Sequence, residues 1–339
     1  METSIFTDIE KGLIEKRAQL VEWETCCAEE KLEAVLGPEG KTAIEPHLHV
    51  IDTSIEKLHE GSLGVCTVCQ GIVDASLLQM DYTACVCLDH YSDAERRQLE
   101  SELELSQVVQ RALLPQQMPS IAGVEVAAFS RPAQIVGGDY FDFLQFNDGA
   151  HGFVIADVSG HGVSAGMLMT SLQTAFHTLV PDSNSPVDVL QKLNRLYIHN
   201  IHFTTFVTIF FSRLDLRTRT LTYANAGHSE ALLYRRSRDE QVWLKRTGPA
   251  IGLIEGFRNE PRNIQLESED ILLLYTDGVT EAFDSNGEQF GQARLAEVIR
   301  QNGNQSVDGL IQKVLQTLTN FTDGRPLEDD VTLVAYKLK

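Results

Sequence analysis

The stretch at residues 151–166, HGFVIADVSGHGVSAG, limits the fold of this chain more than any other. Residues 153–156 (FVIA) form a short apolar, partly β-branched run, the pattern of a buried strand. The run stops at Asp157. Gly160, Gly162 and Gly166 follow, where the backbone must turn tightly, and from Val163 the spacing becomes helical. An acid at the end of a buried strand, before a glycine-rich turn into a helix, puts a carboxylate at the rim of a core. Three other stretches repeat this arrangement. In VGGDYFDFLQF, Asp139 follows two glycines at a strand start. In DILLLYTDGVTEAF, the apolar run 271–275 ends at Asp277 and a glycine, and in LEDDVTLVAY the pair Asp329 and Asp330 opens a last strand. Carboxylates at the ends of separate strands can converge as hard oxygen ligands. Such a cluster is too repulsive to persist without cations and suits Mg²⁺ or Mn²⁺. Two such ions acidify a shared water and hold a phosphate oxygen, which is metal-assisted hydrolysis.

The bulk numbers narrow the remaining classes. A chain of 339 residues has room for one large domain and something smaller, and 43% hydrophobic with 22% charged residues is ordinary globular composition. No apolar run approaches membrane-span length and the first residues lack a signal-peptide apolar region, so a cytoplasmic location is expected. With 28 basic against 48 acidic residues and a net charge of -20, broad nucleic-acid binding is disfavoured. All six cysteines lie before residue 90. In a reducing compartment, that clustering points to a metal or redox site, not a disulfide framework.

Residues 5–36 carry a helical pattern that Gly37 and Pro38 break, and a second helical stretch covers roughly residues 46–60. Two helices joined by a breaker suggest an antiparallel hairpin. Cys26 and Cys27, in the first helix, read as small buried residues. Beyond the hairpin, Cys66, Cys69, Cys87 and His90 have the spacing C-x2-C-x17-C-x2-H, right for two knuckles closing a tetrahedral, structural Zn²⁺. Cys85 is the spare; a register pairing it with Cys87 leaves one residue between ligands. A set of reduced structural thiols is the plainer alternative. The phrase LHEGSLGVCTVC and its preceding helices resemble the DksA/TraR-type zinc-finger proteins over about residues 1–92. That family places a helical hairpin before a four-ligand zinc module and modulates RNA polymerase. His90 stands where it usually has a cysteine, and residues 37–40 do not resemble its aspartate-bearing tip. A sensory or dimerising module is therefore expected. Residues 92–114 read as a capped, charge-rich helix ended by Pro115, with Leu99, Leu103, Val109 and Leu113 close to a coiled-coil seam. A homodimer contact and a solvated linker fit that helix equally.

From residue 123 the pattern turns to strands in runs with helices in pairs (164–179 with 187–200, and 292–301 with 306–318). This argues for an α+β layered sandwich and against alternating βαβ units. The expected organisation is a regulatory module over residues 1–91, a linker helix over 92–114 and a catalytic domain over 115–339. LLPQQMP, VGGDYFDF, ADVSGHGVSAGM, FVTIFF, YANAGH, LLLYTDGVTEA and EDDVTLV occur in the order and spacing of the SpoIIE/RsbU-type serine phosphatases. The chain resembles this bacterial branch of the metal-dependent (PPM) protein phosphatases over about residues 112–339. The resemblance implies an αββα sandwich with a binuclear Mn²⁺/Mg²⁺ centre. It also implies hydrolysis of phosphoserine or phosphothreonine, typically on a small STAS-type anti-anti-sigma protein. By the same resemblance Asp157 bridges the two metals, with the Val158 carbonyl as a backbone ligand. Asp277 and Asp329 complete one shell, and Asp139 holds the second ion directly or through water. Asp330 stands where many relatives have asparagine, and Asp329 is the preferred ligand of that pair. The attacking group is then water, so no serine or cysteine nucleophile is needed. His161 lies four residues after Asp157, too far along to match the histidine of eukaryotic relatives, and a turn-fixing role suits it.

Rival chemistries fare worse. Residues 162–166 match the G-x-S-x-G nucleophile elbow, but that fold needs a late histidine and none follows His228. Phosphoaspartyl phosphatases need a second aspartate two positions from Asp277, where Tyr275 stands. There is no Walker A pattern. The alternative from another class is a non-enzymatic transcription regulator that binds RNA polymerase through the hairpin and finger, with a spent phosphatase fold as scaffold. Missing acidic ligands would be its signature.

Overall fold

The computed structural model describes residues 44–73, 85–90, 92–160, 162–200, 206–254, 258–325 and 327–339, with Leu78 and eight positions between Phe6 and Val21. Cys26, Cys27, His161 and most of the first expected helix lie outside the described residues. The chain divides into two compact units between Glu102 and Leu103.

In the first unit, α1 (Ile44–His59) carries Lys57 and His59 in its last turn, where positive charge complements the helix dipole. The described positions between Phe6 and Val21 are helical. Arg17 meets Asp52 at 2.5 Å and His59 meets Glu10 at 3.0 Å, so the two stretches run antiparallel. Leu13 and Ile51 are buried. Cys66, Val73 and Leu78 form a small core with Phe6, Ile9 and Cys87 packed against it. Next comes α2 (Asp93–Leu113), whose residues from Leu103 onward belong to the second unit. The Gln116 side chain donates to the carbonyls of Arg111 and Leu114, adding to the helix-end bonding where Pro115 has no N–H to give. Among the described residues no helix is long and apolar enough to cross a membrane.

The second unit holds two five-stranded antiparallel sheets. Its strands are β1 (Val124–Arg131), β2 (Tyr140–Gln145), β3 (His151–Val158), β4 (Val207–Asp215), β5 (Thr220–Ala226), β6 (Ala231–Arg235), β7 (Glu240–Leu244), β8 (Arg262–Gln265), β9 (Ile271–Tyr275) and β10 (Val331–Leu338). One sheet has the order β1-β10-β9-β6-β7 and the other β2-β3-β4-β5-β8. Helices α3 (Val163–Leu179) and α4 (Pro186–Asn200) cover the second sheet. The short α5 (Asp277–Thr280) follows β9, and α6 (Gly291–Asn302) and α7 (Val307–Phe321) cover the first sheet. The α+β sandwich expected from the sequence is therefore present as four layers. One strand is displaced: residues 264–268 read as a strand, whereas β8 spans Arg262–Gln265. The four-residue α5 is too short to leave a helical period in the sequence.

Alternation explains why β3 and β10 look apolar on both faces. Successive side chains of a strand point to opposite faces. Phe153 and Ile155 therefore face the other sheet, while Val154, Ala156 and Val158 face α3 and α4. In β10, Val334, Tyr336 and Leu338 point between the sheets, and Val331, Leu333 and Ala335 point to α6 and α7. Phe153 and Tyr336 stack across the sandwich with ring centroids 4.2 Å apart. Because Phe153 is fully buried there, Phe153→Ala should cost about 3–5 kcal/mol. Urea unfolding should record this as a lower midpoint at unchanged slope.

Candidate active site

The sheet registers bring the expected acids to one end of the sandwich. Tyr140 pairs with Ala156, so Asp139 and Asp157 lie at the same end of neighbouring strands β2 and β3. Tyr275 pairs with Leu333, which puts Asp277 and the Asp329–Asp330 pair together at one end of the other sheet. Hydrogen bonds join the two halves. Thr276 donates its hydroxyl to Oδ2 of Asp139 at 2.8 Å and accepts the backbone N–H of Thr332 at 3.0 Å. Asp330 crosses in the other direction. Its Oδ1 accepts from the Ala133 N–H at 2.8 Å, and its Oδ2 accepts from Gly138 N–H at 2.7 Å and Asp139 N–H at 3.4 Å.

The glycines beside the acids are there for room. A Cβ on Gly137 would collide with the Asp330 carboxylate, and one on Gly278 with the Asp330 carbonyl. On Gly138 it would approach the Val158 carbonyl oxygen to 2.8 Å, closing off the backbone ligand expected there. Gly166 lets α3 press against Val136 and the Gln110 amide. That amide grips the same loop: Gln110 donates to the Gly137 carbonyl at 2.6 Å and accepts its N–H at 3.0 Å.

The electrostatics report the convergence. Burial, then Asp157, then Asp330 hold Asp139 well above the ordinary carboxylate range. Burial together with Asp277, Asp329 and Asp330 pushes Asp157 up to about 7. Asp277 is raised by burial, Asp329 and Glu281, and Asp330 chiefly by burial. Two carboxylates 4 Å apart repel by about 4 kcal/mol at an effective dielectric near 20. Oδ1 of Asp139 is buried and has no hydrogen-bond partner. A buried carboxyl oxygen with nothing to satisfy it, in a set made only of carboxylates and a carbonyl, fits a hard divalent cation.

Asp330 has both oxygens committed to backbone N–H groups, whereas the described partner of the Asp329 carboxylate is the N–H of Asp330. Asp329 is thus the acid of the pair with lone pairs to spare. Two contributors carried no sequence signal of their own, Thr276 and Gln110; the sequence marked Asp330 as an acid at a strand start but not as the holder of the loop. Ser164, in the elbow-like motif, sits exposed in the first turn of α3. The late histidine, His228, is buried with Nδ1 hydrogen-bonded to the Thr208 hydroxyl at 2.7 Å, and burial drives its pKa down to about 3. That pairing takes His228 out of the role of base for a serine nucleophile.

In the first unit the donor atoms of Cys66, Cys69, Cys87 and His90 all lie within 4.8 Å of one another. Cys69 Sγ and Cys87 Sγ are 3.9 Å apart, close to the about 3.8 Å edge of a tetrahedron with 2.3 Å metal–sulfur bonds. Backbone N–H groups of Val68 and Cys87 point at Cys66 Sγ, each at 3.4 Å. Burial raises the Cys66 thiol, but such hydrogen bonds outweigh it and hold the group at about 6. Cys85 stays outside the four-donor set and contributes its carbonyl, which accepts from Thr67 N–H at 2.8 Å.

Comparison with known proteins bears on the second unit. The family model for SpoIIE (Stage II sporulation protein E) matches residues 147–339. Phosphoserine phosphatase RsbU of Bacillus subtilis is 28% identical over 244 residues, 72% of each chain. Among solved structures, the SiaA-PP2C domain of Pseudomonas aeruginosa superposes with a TM-score of 0.65 at 22% identity, covering 73% of this chain and 100% of that one. The RsbU and RsbW domains of a Mycobacterium tuberculosis protein give a TM-score of 0.57 at 28% identity, covering 64% of this chain and 60% of that one. With its acids converging at one end of the PP2C-type sandwich, the chain belongs to the SpoIIE family and is a protein serine/threonine phosphatase.

Proposed function

We propose that the enzyme removes phosphate from phosphoserine on a small regulatory protein, of the STAS anti-anti-sigma type. Regulation then comes from the N-terminal unit acting through α2. The observation that carries the site assignment is the buried, unpartnered Oδ1 of Asp139 among acids that raise one another's pKa. Asp139, Asp157, Asp277, Asp329 and the Val158 carbonyl are the ligands proposed for two Mn²⁺ or Mg²⁺ ions. When bound, such ions neutralise the phosphate oxygens and acidify an attacking water. The chain's own part is positional. Thr276 orients Asp139, Asp330 holds the loop that carries it, and the glycines leave the approach open. The magnesium complex of RsbX, which has the same fold, supports the choice of ion. All four acids of the set are present, which weighs against a spent scaffold that binds polymerase.

For the first unit we propose a structural Zn²⁺ held by Cys66, Cys69, Cys87 and His90, in a finger of DksA/TraR type carried on a helical hairpin. Three thiols and an imidazole suit zinc over the harder ions of the phosphatase site. Leu105, Val108 and Val109 leave an exposed apolar stripe on α2, which supports a homodimer through this helix. A cytoplasmic setting fits the reduced thiols and the proposed substrate.

The reading is tested by phosphate release from a phosphorylated STAS protein with and without Mn²⁺. Asp157→Asn and Asp277→Asn should each lower that rate about 100-fold or more, the scale for a disturbed metal site. A second expectation concerns stability without metal. Asp157 titrates at about 7 in the folded chain against 3.8 for an ordinary aspartate, so the fold holds a proton that the unfolded chain has released. Stability of the stripped protein should therefore fall as pH rises from about 4 through 7. Thermal melts should show a lower Tm at pH 8 than at pH 5.5, with Mn²⁺ restoring most at pH 8. For the finger, elemental analysis should find about one zinc ion per chain, lost in Cys66→Ser.

A further inference from the structure

A groove of about 520 Å³ runs up to Asp329. Its floor is apolar, made by Phe129 of β1, Leu315 and Leu318 of α7, and Leu327. Two arginines border it, Arg131 at the end of β1 and Arg325 in the segment leading to Asp329. Each also lines a second depression. Arg131 borders one of about 390 Å³ that contains Asp139 and Asp330, and Arg325 one of about 390 Å³ that contains Gly278 and Asp329. Both cations thus share depressions with acids of the cluster, Arg131 with Asp139 and Asp330, and Arg325 with Asp329.

Their position, more than their freedom, sets them apart: they are the two arginines that line the groove reaching Asp329. Arg213, Arg217, Arg235, Arg236, Arg238, Arg294 and Arg300 all make ion pairs with carboxylates. Among the described residues, Arg131 and Arg325 make no ion pair within 4.0 Å and no side-chain hydrogen bond, and both are exposed. In a chain with 48 acidic residues, guanidinium groups left unpaired beside a carboxylate cluster are available to an incoming anion. A net charge of -20 would otherwise repel an acidic partner.

We propose that this groove docks the substrate segment flanking the phosphoserine and selects an acidic side chain there. Arg131 and Arg325 receive the carboxylate, while an adjoining apolar side chain lies on Phe129, Leu315 and Leu327. The inference deepens the phosphatase assignment and rests on the acid cluster being where the phosphoserine is cleaved.

The test uses the full-length protein with Mn²⁺ and two phosphoserine peptides that differ only in a flanking glutamate or lysine. p-Nitrophenyl phosphate, too small to fill the groove, serves as the reference substrate. The wild type should prefer the glutamate peptide about tenfold, the scale of one charge-assisted contact, and the preference should sit in KM. Arg131→Ala and Arg325→Ala should lower the ratio of glutamate-peptide to reference kcat/KM about tenfold. Arg325→Glu should transfer the preference to the lysine peptide. Hydrolysis of both peptides by the wild type without charge preference, or a preference that survives Arg325→Glu, overturns the docking proposal alone. Undiminished hydrolysis in Asp157→Asn overturns the site assignment and the docking proposal with it.

Discussion

The carboxylate of Asp330 holds together the end of the sandwich where the acids converge. It stands at the entrance to β10 in one sheet and accepts N–H groups from the Ala133–Asp139 loop that enters β2 in the other. A charged acceptor bound by several backbone donors is among the stronger links that a protein surface can make. Thr276 ties the same sheets in the opposite sense, with its hydroxyl donating to Asp139. Without these crossings, this end of the two sheets would rely on apolar contacts, which are non-directional and could not set carboxylate positions. The acids of the site are therefore held by polar bonds laid over a greasy interior.

That arrangement works against itself electrically. Asp139 is buried, Asp157 titrates near neutrality, and each feels the others. The fold tolerates this because the surrounding strands are deeply apolar and well packed, with aromatic stacking such as Phe153 on Tyr336 between the sheets. Stability stored in the layers offsets repulsion concentrated at one rim. Local strain of this kind is typical of functional sites, where the folded state is not optimised for itself.

Much of this was legible in the chain. Asp139, Asp157, Asp277 and Asp329 could be picked out because each terminates or opens a run of apolar residues, and a glycine beside two of them, Asp139 and Asp277, marks a close approach. The four layers followed from strands grouped in runs with helices in pairs. What stayed hidden depends on partners distant in sequence. The Asp330 carboxylate meets Gly138, 192 residues away, and Thr276 meets Asp139 across 137 residues. Gln110 looked like any polar position on a charged helix until its amide was seen on Gly137, and α5 was too short to have a period. Local patterns record which face a residue takes, whereas a long-range hydrogen bond leaves no trace in spacing.

Gln110 also has a mechanical consequence. Its amide both gives to and takes from the backbone of one residue, Gly137, a fit that glutamate, with nothing to donate, could not reproduce. Each residue of a helix turns about 100° from the last, so even a one-residue twist of α2 swings that amide away and breaks both bonds at once. The grip on the loop therefore depends on the rotational setting of that one helix.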